Sequence, residues 1–382
     1  MTESAGHGGD FFRAIGLDFR TLSRSREVIG ADVLDAWFDP SPRVLAALRE
    51  YLPFLLRTSP PTCAEGLVET IAEVRGLDAA SILPGAGSSS LIFACLPALI
   101  EQGARVLLLD PTYSEYSHFA RHHLGASVAS YRLAPECGFA ICTGDFVRAT
   151  LEIAPAAVLL VNPNSPTGVH WPRREALRWL DRIPESTLVW LDETYVEYAG
   201  AGESLESETA RRPNLIVLKS MSKVYALSGL RVAYLVAPAV LRRRLARLIP
   251  PWPVGLAAQV AAVEALRDPQ YYAARYAETH QLRREACLRL SAIPGLRVHP
   301  SQSNFYLVET DHAAALAERL RAMNIFVRQF DGSSGILDSR YLRIAVKGDG
   351  RVEQALACAF YELHSQVGGN RSGVPGHPPP EP

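Results

Sequence analysis

The fold is decided by the stretch Lys219-Ser220-Met221-Ser222-Lys223-Val224-Tyr225-Ala226-Leu227-Ser228-Gly229-Leu230-Arg231. It lies between two apolar runs, residues 215–218 and 232–236, which have the pattern of buried core strands. A plain turn between two such strands does not need several serines, two lysines and an arginine. The stretch therefore predicts a polar site at the edge of a buried sheet.

Lys223 is the candidate reactive residue of this stretch. The chain has 39 basic residues, and only Lys219, Lys223 and Lys347 are lysines. Arginine stays charged, whereas a lysine near other cations can lose its proton and attack a carbonyl carbon to form a Schiff base. A lysine placed here indicates a need for a primary amine. The alternative interpretation is a solvated loop charge, because Ser-x-x-Lys is a short pattern.

The composition of the chain limits the kinds of partner and site that the protein can have. The net charge of −1 gives no electrostatic footprint for a nucleic acid or an anionic membrane. No apolar run approaches the roughly 20 residues of a membrane span, and residues 1–10 lack the pattern of a signal peptide, so we expect a cytoplasmic protein. The six cysteines are scattered, and neither Cys137 with Cys142 nor His118 with His122 has the further ligands of a metal site. We therefore predict no metal.

Apolar strand candidates alternate with helical patterns through the first two thirds of the chain. The candidates are residues 105–109, 126–133, 156–161, 187–191, 215–218 and 232–236, with a shorter one at 82–84. Near-continuous apolar runs separated by helices predict an α/β fold with a mostly parallel sheet that is covered on both faces. Ligands of such sheets bind in the loops at the carboxyl ends of the strands.

Helical residues from about 256 to 292, with a break at Asp268-Pro269, connect this unit to a small α+β unit of short strands and two helices. We predict an N-terminal segment 1–45, a large domain 46–265, a small domain 266–366 to which the N-terminal segment also belongs, and a disordered tail 367–382, which is rich in glycine and proline.

Four further segments of the large unit carry polar or aromatic residues where strands end. Gly87-Ser88-Ser89 opens a helix, whose free N–H groups favour an anion; simple capping is the alternative. Tyr113 follows strand 105–109 and is placed to cover a planar ring, or else packs in the core. Asn164 lies in the turn Asn162-Pro163-Asn164-Ser165-Pro166-Thr167-Gly168. Asp192 ends a buried strand, where an unpaired carboxylate is costly, so it should meet a cation, which could also be an arginine.

Together these segments match the requirements of pyridoxal 5'-phosphate. The cofactor needs an amine for its aldehyde, an anion cradle for its phosphate, a cover for its ring and a carboxylate for its pyridine nitrogen. A carboxylate in contact keeps that nitrogen protonated, since an opposite charge moves a pKa by roughly 1–3 units. The protonated ring then acts as an electron sink for a carbanion at the α-carbon of an amino acid.

Over residues 40–365 the chain resembles the fold-type I, class I/II aminotransferases, and within them the histidinol-phosphate aminotransferase group. The resemblance rests on Ser220-Met221-Ser222-Lys223 with Gly229-Leu230-Arg231, on Asp192-Glu193-Thr194-Tyr195, and on the turn 162–168. It implies the aspartate aminotransferase-like fold of the pyridoxal phosphate-dependent transferases. In that fold a large domain contains a mostly parallel, seven-stranded sheet, and a small domain is α+β. It also implies a homodimer.

The resemblance implies a role for each matching residue. Lys223 would form the Schiff base and shuttle the proton. Asp192 would pair with the ring nitrogen and Tyr195 with the phenolic oxygen of the cofactor. The cradle and ring cover would be built from Gly87, Ser88, Ser89, Tyr113, Asn164, Ser220, Ser222 and Arg231. Arg343 matches an arginine that clamps the substrate carboxylate, a task suited to a bidentate guanidinium, and Arg328 matches a position used for a distal phosphate.

Three positions depart from the pattern of that group. Ser165 stands where a second asparagine is usual, so we expect Asn164 to take over its contact. Trp37-Phe38-Asp39 replaces a polar run, and Ser59 replaces a tyrosine that the partner subunit supplies. These departures predict a substrate other than histidinol phosphate, because specificity depends on such contacts.

The sequence therefore predicts a pyridoxal phosphate-dependent aminotransferase that moves an amino group between an amino acid or amine and a 2-oxo acid, in specialised metabolism. The alternative within the same fold is a decarboxylase, eliminase or cyclase, and residues 337–341 resemble the threonine-phosphate decarboxylases. A non-catalytic binding module is a third interpretation, but it leaves Lys223, Asp192 and Arg343 without a role.

Overall fold

The computed structural model of the protein describes residues 9–332 and 335–369. The helices are α1 Phe11–Ile15, α2 Pro42–Arg57, α3 Glu65–Arg75, α4 Ser88–Leu99, α5 Ser114–His122, α6 Thr143–Ile153, α7 Arg173–Leu180, α8 Val196–Ala199, α9 Met221–Val224, α10 Ala239–Ala246, α11 Leu256–Leu266, α12 Pro269–Ser291, α13 Ala313–Ala322 and α14 Arg351–Gly369. The strands are β1 Ile29–Ala31, β2 Ile82–Gly85, β3 Arg105–Asp110, β4 Ser127–Arg132, β5 Ala157–Val161, β6 Leu188–Asp192, β7 Leu215–Ser220, β8 Ala233–Val236, β9 Arg297–Val298, β10 Phe305–Glu309, β11 Ile325–Gln329 and β12 Tyr341–Ala345.

A seven-stranded sheet in the order β2-β8-β7-β6-β5-β3-β4 forms the large unit. All its neighbours are parallel except β8, which is antiparallel to both β2 and β7. Successive residues of β6 point to opposite faces, so Trp190 packs in one apolar cluster and Val189 and Leu191 in another. Apolar clusters on both faces explain the continuous apolar runs, and the predicted fold class is confirmed.

The topology brings the site segments to one edge of this sheet. The parallel strands β3, β5, β6 and β7 all end there, and β2 runs in the same direction because two antiparallel pairings separate it from β7. Strand β8 runs the other way, so the residues before it, including Arg231, return to that same edge. The segments that follow β2, β3, β5, β6 and β7 therefore face one another.

The small unit contains a five-stranded sheet in the order β1-β11-β12-β10-β9. Strand β1 comes from the N-terminal segment and pairs in parallel with β11, whereas the other pairs are antiparallel. Helix α14 runs to Gly369 and so overlaps the start of the predicted tail; residues 370–382 of that tail lie outside the described residues. Within residues 9–332 and 335–369, no helix is long and apolar enough to cross a membrane.

Candidate active site

A cavity opens at the strand edge between the two units. Both units and the N-terminal segment line it, through Val33, Leu34, Ser88, Ser89, Tyr113, Val161, Ser165, Asp192, Thr194, Tyr195, Ser220, Ser222, Lys223, Arg231 and Arg343. Nine of the eleven residues predicted for catalysis and cofactor binding are in this set, and Gly87 and Asn164 are not. The sheet therefore brings together residues that are more than a hundred positions apart in the chain.

Lys223 lies in the one-turn helix α9, directly after β7. Its Nζ is 2.6 Å from Asp35 Oδ1 and 3.5 Å from Ser228 Oγ. Burial alone would raise the pKa of Asp35, but the Lys223 ammonium lowers it. The primary amine is half-buried, lies against the cavity and has a carboxylate beside it.

Asp192 ends β6 and is buried at the base of the cavity. Its Oδ1 accepts hydrogen bonds from the backbone N–H of Thr194, at 2.9 Å, and from Thr194 Oγ1, at 2.6 Å. Its Oδ2 accepts a hydrogen bond from the Tyr116 hydroxyl at 2.8 Å. Burial raises the pKa of Asp192, while the donors on Thr194 and Tyr116 oppose that rise because they stabilise the ionised form.

The residues predicted to form the anion cradle meet where β2, β7 and β8 reach the edge. Helix α4 begins at Ser88, and Gly87 has a positive φ of 88°. A Cβ at Gly87 would overlap the Arg231 guanidinium, so only glycine lets that cation approach the start of the helix. Arg231 Nη1 also lies 3.4 Å from Ser222 Oγ. Gly87 does not line the cavity, but its lack of a side chain leaves room for the Arg231 guanidinium.

Tyr113 lines the cavity, and its hydroxyl donates a 2.6 Å hydrogen bond to Glu115 Oε2. The same oxygen accepts a 3.0 Å hydrogen bond from Ser89 Oγ. The single hydroxyl proton of Ser89 is thereby committed to Glu115, so Ser89 offers the cradle its backbone N–H. Glu115 is buried, and the sequence did not indicate it as part of the site.

Arg343 approaches from β12 of the small unit. Its Nη2 donates to the backbone oxygen of Asp32 at 2.9 Å, and its Nη1 lies 3.4 Å from Ser165 Oγ. Its buried Nε has no hydrogen-bond partner in the part of the chain that the structure describes, and burial lowers the pKa of this guanidinium. Arg328 in β11 is the register partner of Arg343 in the neighbouring strand β12, but it does not line the cavity.

Asn164 is not among the residues that line the cavity, and its expected contact with the cofactor stays a prediction. Its Nδ2 donates to the backbone oxygen of Pro111 at 2.9 Å and to Thr167 Oγ1 at 3.1 Å, so its amide holds two loops together. Ser165 lines the cavity instead, beside Tyr195. The smaller side chain therefore occupies the position that faces the site.

The match to known proteins agrees with this architecture. The family model "Aminotransferase class I and II" matches residues 34–357. A histidinol-phosphate aminotransferase 2 of Burkholderia mallei is 33% identical over 335 residues, which are 85% of this chain and 89% of that protein. A histidinol-phosphate aminotransferase of Rubrobacter xylanophilus is 35% identical over 77% of this chain and 81% of its own length.

Solved structures show the same fold. Histidinol-phosphate aminotransferase from Sinorhizobium meliloti, in complex with pyridoxal-5'-phosphate, has a TM-score of 0.80 at 22% identity and covers 96% of this chain and 100% of its own. L-threonine-O-3-phosphate decarboxylase from Porphyromonas gingivalis has a TM-score of 0.75 at 25% identity, over 88% of this chain and 100% of its own.

The chain belongs to the class I and II aminotransferases. It is an enzyme of that class, and the predicted cofactor, pyridoxal 5'-phosphate, is confirmed with the family.

Proposed function

We propose that the cavity binds pyridoxal 5'-phosphate and that the residues lining it have the roles expected from the sequence. Two local features support the fit. Gly87 leaves room for the Arg231 guanidinium at the start of α4, which makes an anion cradle. Asp192 is a buried carboxylate whose hydrogen-bond donors in the described part of the chain are all neutral, and the protonated ring nitrogen would supply a cationic partner.

In this proposal the protein residues hold the cofactor and move protons. Lys223 carries the cofactor on its amine and, when free, holds the proton removed from the substrate α-carbon. The phosphate is bound by Arg231, by the hydroxyls of Ser88, Ser220 and Ser222, and by the backbone N–H of Ser89. Tyr113 covers the ring, while Tyr195, together with Ser165 in place of Asn164, faces its phenolic oxygen. The bound cofactor supplies the electron sink for the α-carbon.

The observation that carries the substrate assignment is the Arg343 guanidinium. It lies partly buried against the cavity wall, and its buried Nε has no partner in the described part of the chain. A partly buried cation with spare donors favours a carboxylate, which binds a guanidinium through two parallel hydrogen bonds. We therefore propose amino group transfer from an α-amino acid to a 2-oxo acid, with both carboxylates held in turn by Arg343.

Two features support a substrate of specialised metabolism over histidinol phosphate. Trp37 and Phe38 are packed inward, because Trp37 Nε1 donates to Thr279 Oγ1 at 2.8 Å and Phe38 is buried. Ser59 is exposed and short. Neither segment has the residues that the histidinol-phosphate aminotransferase group carries at these positions, a polar run and a tyrosine. Arg328 lies beside Arg343 in the register of β11 and β12. In this proposal it is the cation that a second anionic group on the substrate would contact.

The substrate proposal is tested by steady-state kinetics with histidinol phosphate and 2-oxoglutarate. We expect kcat/KM below about 10⁴ M⁻¹s⁻¹, the lower end of the ordinary range of enzymes. A panel of amino acids, screened by the change in the visible band of the cofactor, should identify a better donor. A value for histidinol phosphate above that limit would contradict the proposal.

Decarboxylation is the second candidate reaction, since residues 337–341 resemble the threonine-phosphate decarboxylases and such a decarboxylase is a structural neighbour. The two reactions differ in their need for a 2-oxo acid. Without a 2-oxo acid, transamination stops after its first half-reaction because the amino group has no acceptor, whereas decarboxylation continues and releases CO₂. Product analysis with and without 2-oxoglutarate, with Lys223→Ala as the blank, distinguishes them.

We also propose a cytoplasmic homodimer. Four side chains of α2, Tyr51, Leu52, Phe54 and Leu56, are between 45% and 74% exposed, an apolar surface that favours a protein contact. Leu56→Glu should convert a dimer to a monomer in light scattering. Leu288→Glu is the matched control, because Leu288 is 73% exposed on α12, against 74% for Leu56. A dimer that survives Leu56→Glu would place the interface elsewhere.

A further inference from the structure

Tyr116 lies behind the cavity, in α5, and has no role in the function described so far. Its ring is fully buried, and its hydroxyl is 2.8 Å from Asp192 Oδ2. The same hydroxyl is 2.9 Å from the indole Nε1 of Trp190, which is also fully buried. Trp190 and Asp192 are two residues apart in β6, so their side chains lie on one face of the sheet and reach the same hydroxyl.

The direction of both hydrogen bonds follows from the donors and acceptors present. An indole N–H can only donate, so the Tyr116 oxygen must accept from Trp190. The hydroxyl has one proton of its own, and Asp192 Oδ2 is the acceptor within reach. The chain of bonds therefore runs from Trp190 through Tyr116 to Asp192 and cannot reverse while the indole is in place.

This direction affects the charge and the orientation of Asp192. An ionised carboxylate has about four acceptor sites, and a protonated one loses some of them. Three are occupied here, by the Tyr116 hydroxyl on Oδ2 and by the two donors of Thr194 on Oδ1. A proton on Oδ2 would face the Tyr116 proton, so the arrangement favours the ionised form. Because both oxygens are held, one acceptor site on Oδ2 is left for a ligand.

We propose that Tyr116, oriented by Trp190, is a positioning residue that keeps Asp192 ionised and aims its remaining acceptor site at the pyridine nitrogen of the cofactor. This inference rests on the proposed role of Asp192. Tyr116 acts only through that carboxylate, so its contribution depends on the nitrogen atom of the ring and on nothing else in the cofactor.

The test uses the full-length chain, stripped of cofactor and titrated with two ligands while its tryptophan fluorescence is recorded. One ligand is pyridoxal 5'-phosphate, and the other is its 1-deaza analogue, in which a carbon replaces the ring nitrogen. We expect Tyr116→Phe to weaken binding of pyridoxal 5'-phosphate about tenfold, the effect of losing a hydrogen bond to a charged group. Binding of the 1-deaza analogue should change by less than about twofold.

Tyr306→Phe is the matched control, since the fully buried Tyr306 also donates to a carboxylate, Glu353 Oε1, at 2.7 Å, but away from the cavity. It should leave both affinities unchanged. Trp190→Phe is a second variant that retains Tyr116 and removes only the donor that orients it. We expect about threefold weaker binding of pyridoxal 5'-phosphate and again no effect on the analogue.

The outcomes separate this inference from the proposed function. Equal weakening of both ligands by Tyr116→Phe would show a structural role and overturn the inference, as would unchanged or tighter binding of pyridoxal 5'-phosphate. If the wild-type chain does not discriminate between the two ligands, the proposed pairing of Asp192 with the ring nitrogen fails first.

Discussion

Two regions of the molecule, both formed where β6 and β7 end, place neighbouring charged residues in different environments. One is the cavity, and the other is a buried group of five residues, Arg75, Glu193, Glu197, Glu206 and Lys219, called here the ionic cluster. Asp192 and Lys223 face the cavity, whereas Glu193 and Lys219 face the ionic cluster. Two acidic residues adjacent at the end of β6, and two lysines four positions apart at the end of β7, thus enter different environments.

The ionic cluster surrounds its lysine with carboxylates. Lys219 Nζ is 2.8 Å from Glu197, 3.5 Å from Glu193 and 3.8 Å from Glu206. Burial raises the pKa of Glu193 to about 7, against the effect of the Lys219 ammonium. Burial by itself would lower the pKa of Lys219, but the three carboxylates raise it. An amine held charged in this way cannot attack an aldehyde.

The cavity gives Lys223 one carboxylate and an open side. Asp35 is its only partner among the described ion pairs, and the side chains of Lys223 and Asp35 are 22% and 40% exposed. A lysine that reacts with a carbonyl carbon must be accessible to it, and the open side of the cavity provides that access. The comparison teaches that burial and the number of carboxylates, not position in the motif, separate the lysine of the ionic cluster from the one proposed to be reactive.

The largest expected effect is the loss of turnover in Lys223→Ala. Without this amine the cofactor has no covalent attachment, so we expect activity below detection with an unchanged fold. Borohydride treatment of the wild-type protein should fix the cofactor on the peptide containing Lys223. Label found on Lys219 or Lys347 would reverse the comparison between the two regions.

The next effect is on stability, in Lys219→Met. This change leaves three buried carboxylates with one cation fewer, and breaking such a group costs about 3–5 kcal/mol. We expect that loss in the free energy of unfolding, measured with urea. Arg43→Met is the control, because the Arg43–Glu264 pair is on the surface and should contribute at most about 1 kcal/mol. An equal loss of unfolding free energy in the two variants would show that the ionic cluster contributes no more to stability than a surface ion pair.

Asp192→Asn should affect catalysis more than stability. Asparagine keeps an acceptor but not the charge, so the ring nitrogen loses support for its proton. A loss of about 2 pKa units corresponds to roughly 2.7 kcal/mol, or a rate about a hundredfold lower if it is fully felt in the transition state. The cofactor should still bind. Asp145→Asn, at an exposed position in α6, serves as the control for kcat. A rate within about twofold of wild type would mean that Asp192 does not face the ring.

Much of the fold followed from local patterns in the sequence. The apolar runs of β3 to β8 lie within two residues of their expected positions, because continuous apolar runs are the pattern of a sheet buried on both faces. The break at Asp268-Pro269 separates α11 from α12, since proline is favoured in the first turn of a helix and not in its interior. The parallel pairing of β1 with β11 was not foreseen, because it joins residues about 300 positions apart.

The residues missed at the site share one physical reason. Tyr116, Glu115 and Asp35 act through contacts made only after distant segments meet: Tyr116 is 76 positions from Asp192, and Asp35 is 188 from Lys223. The contacts of Asn164 were not foreseen for the same reason, since its amide nitrogen donates to the carbonyl of Pro111, 53 positions away. Lys223 and Asp192 were found because each follows a strand whose end could be recognised.

The smallest expected effect is that of Asp35→Asn on stability, and it depends on pH. The Lys223 ammonium lowers the pKa of Asp35 in the folded protein, although burial opposes it. A carboxyl group with a lowered folded pKa stabilises the fold above its unfolded pKa of about 3.9, and that contribution is lost as the pH falls through the folded value. The pair is partly exposed, so we expect Asp35→Asn to lower the free energy of unfolding by only about 0.5 kcal/mol at pH 7.

Urea unfolding of the wild type and of Asp35→Asn between pH 7 and pH 3 measures this difference in unfolding free energy, which should shrink towards zero at the acidic end. In a Lys223→Met background, Asp35→Asn should have a smaller effect, because Lys347 is then the remaining cation near Asp35. A difference at pH 7 as large as that of Lys219→Met would contradict the contrast between a lysine with one partly exposed carboxylate in the cavity and a lysine surrounded by buried carboxylates in the ionic cluster.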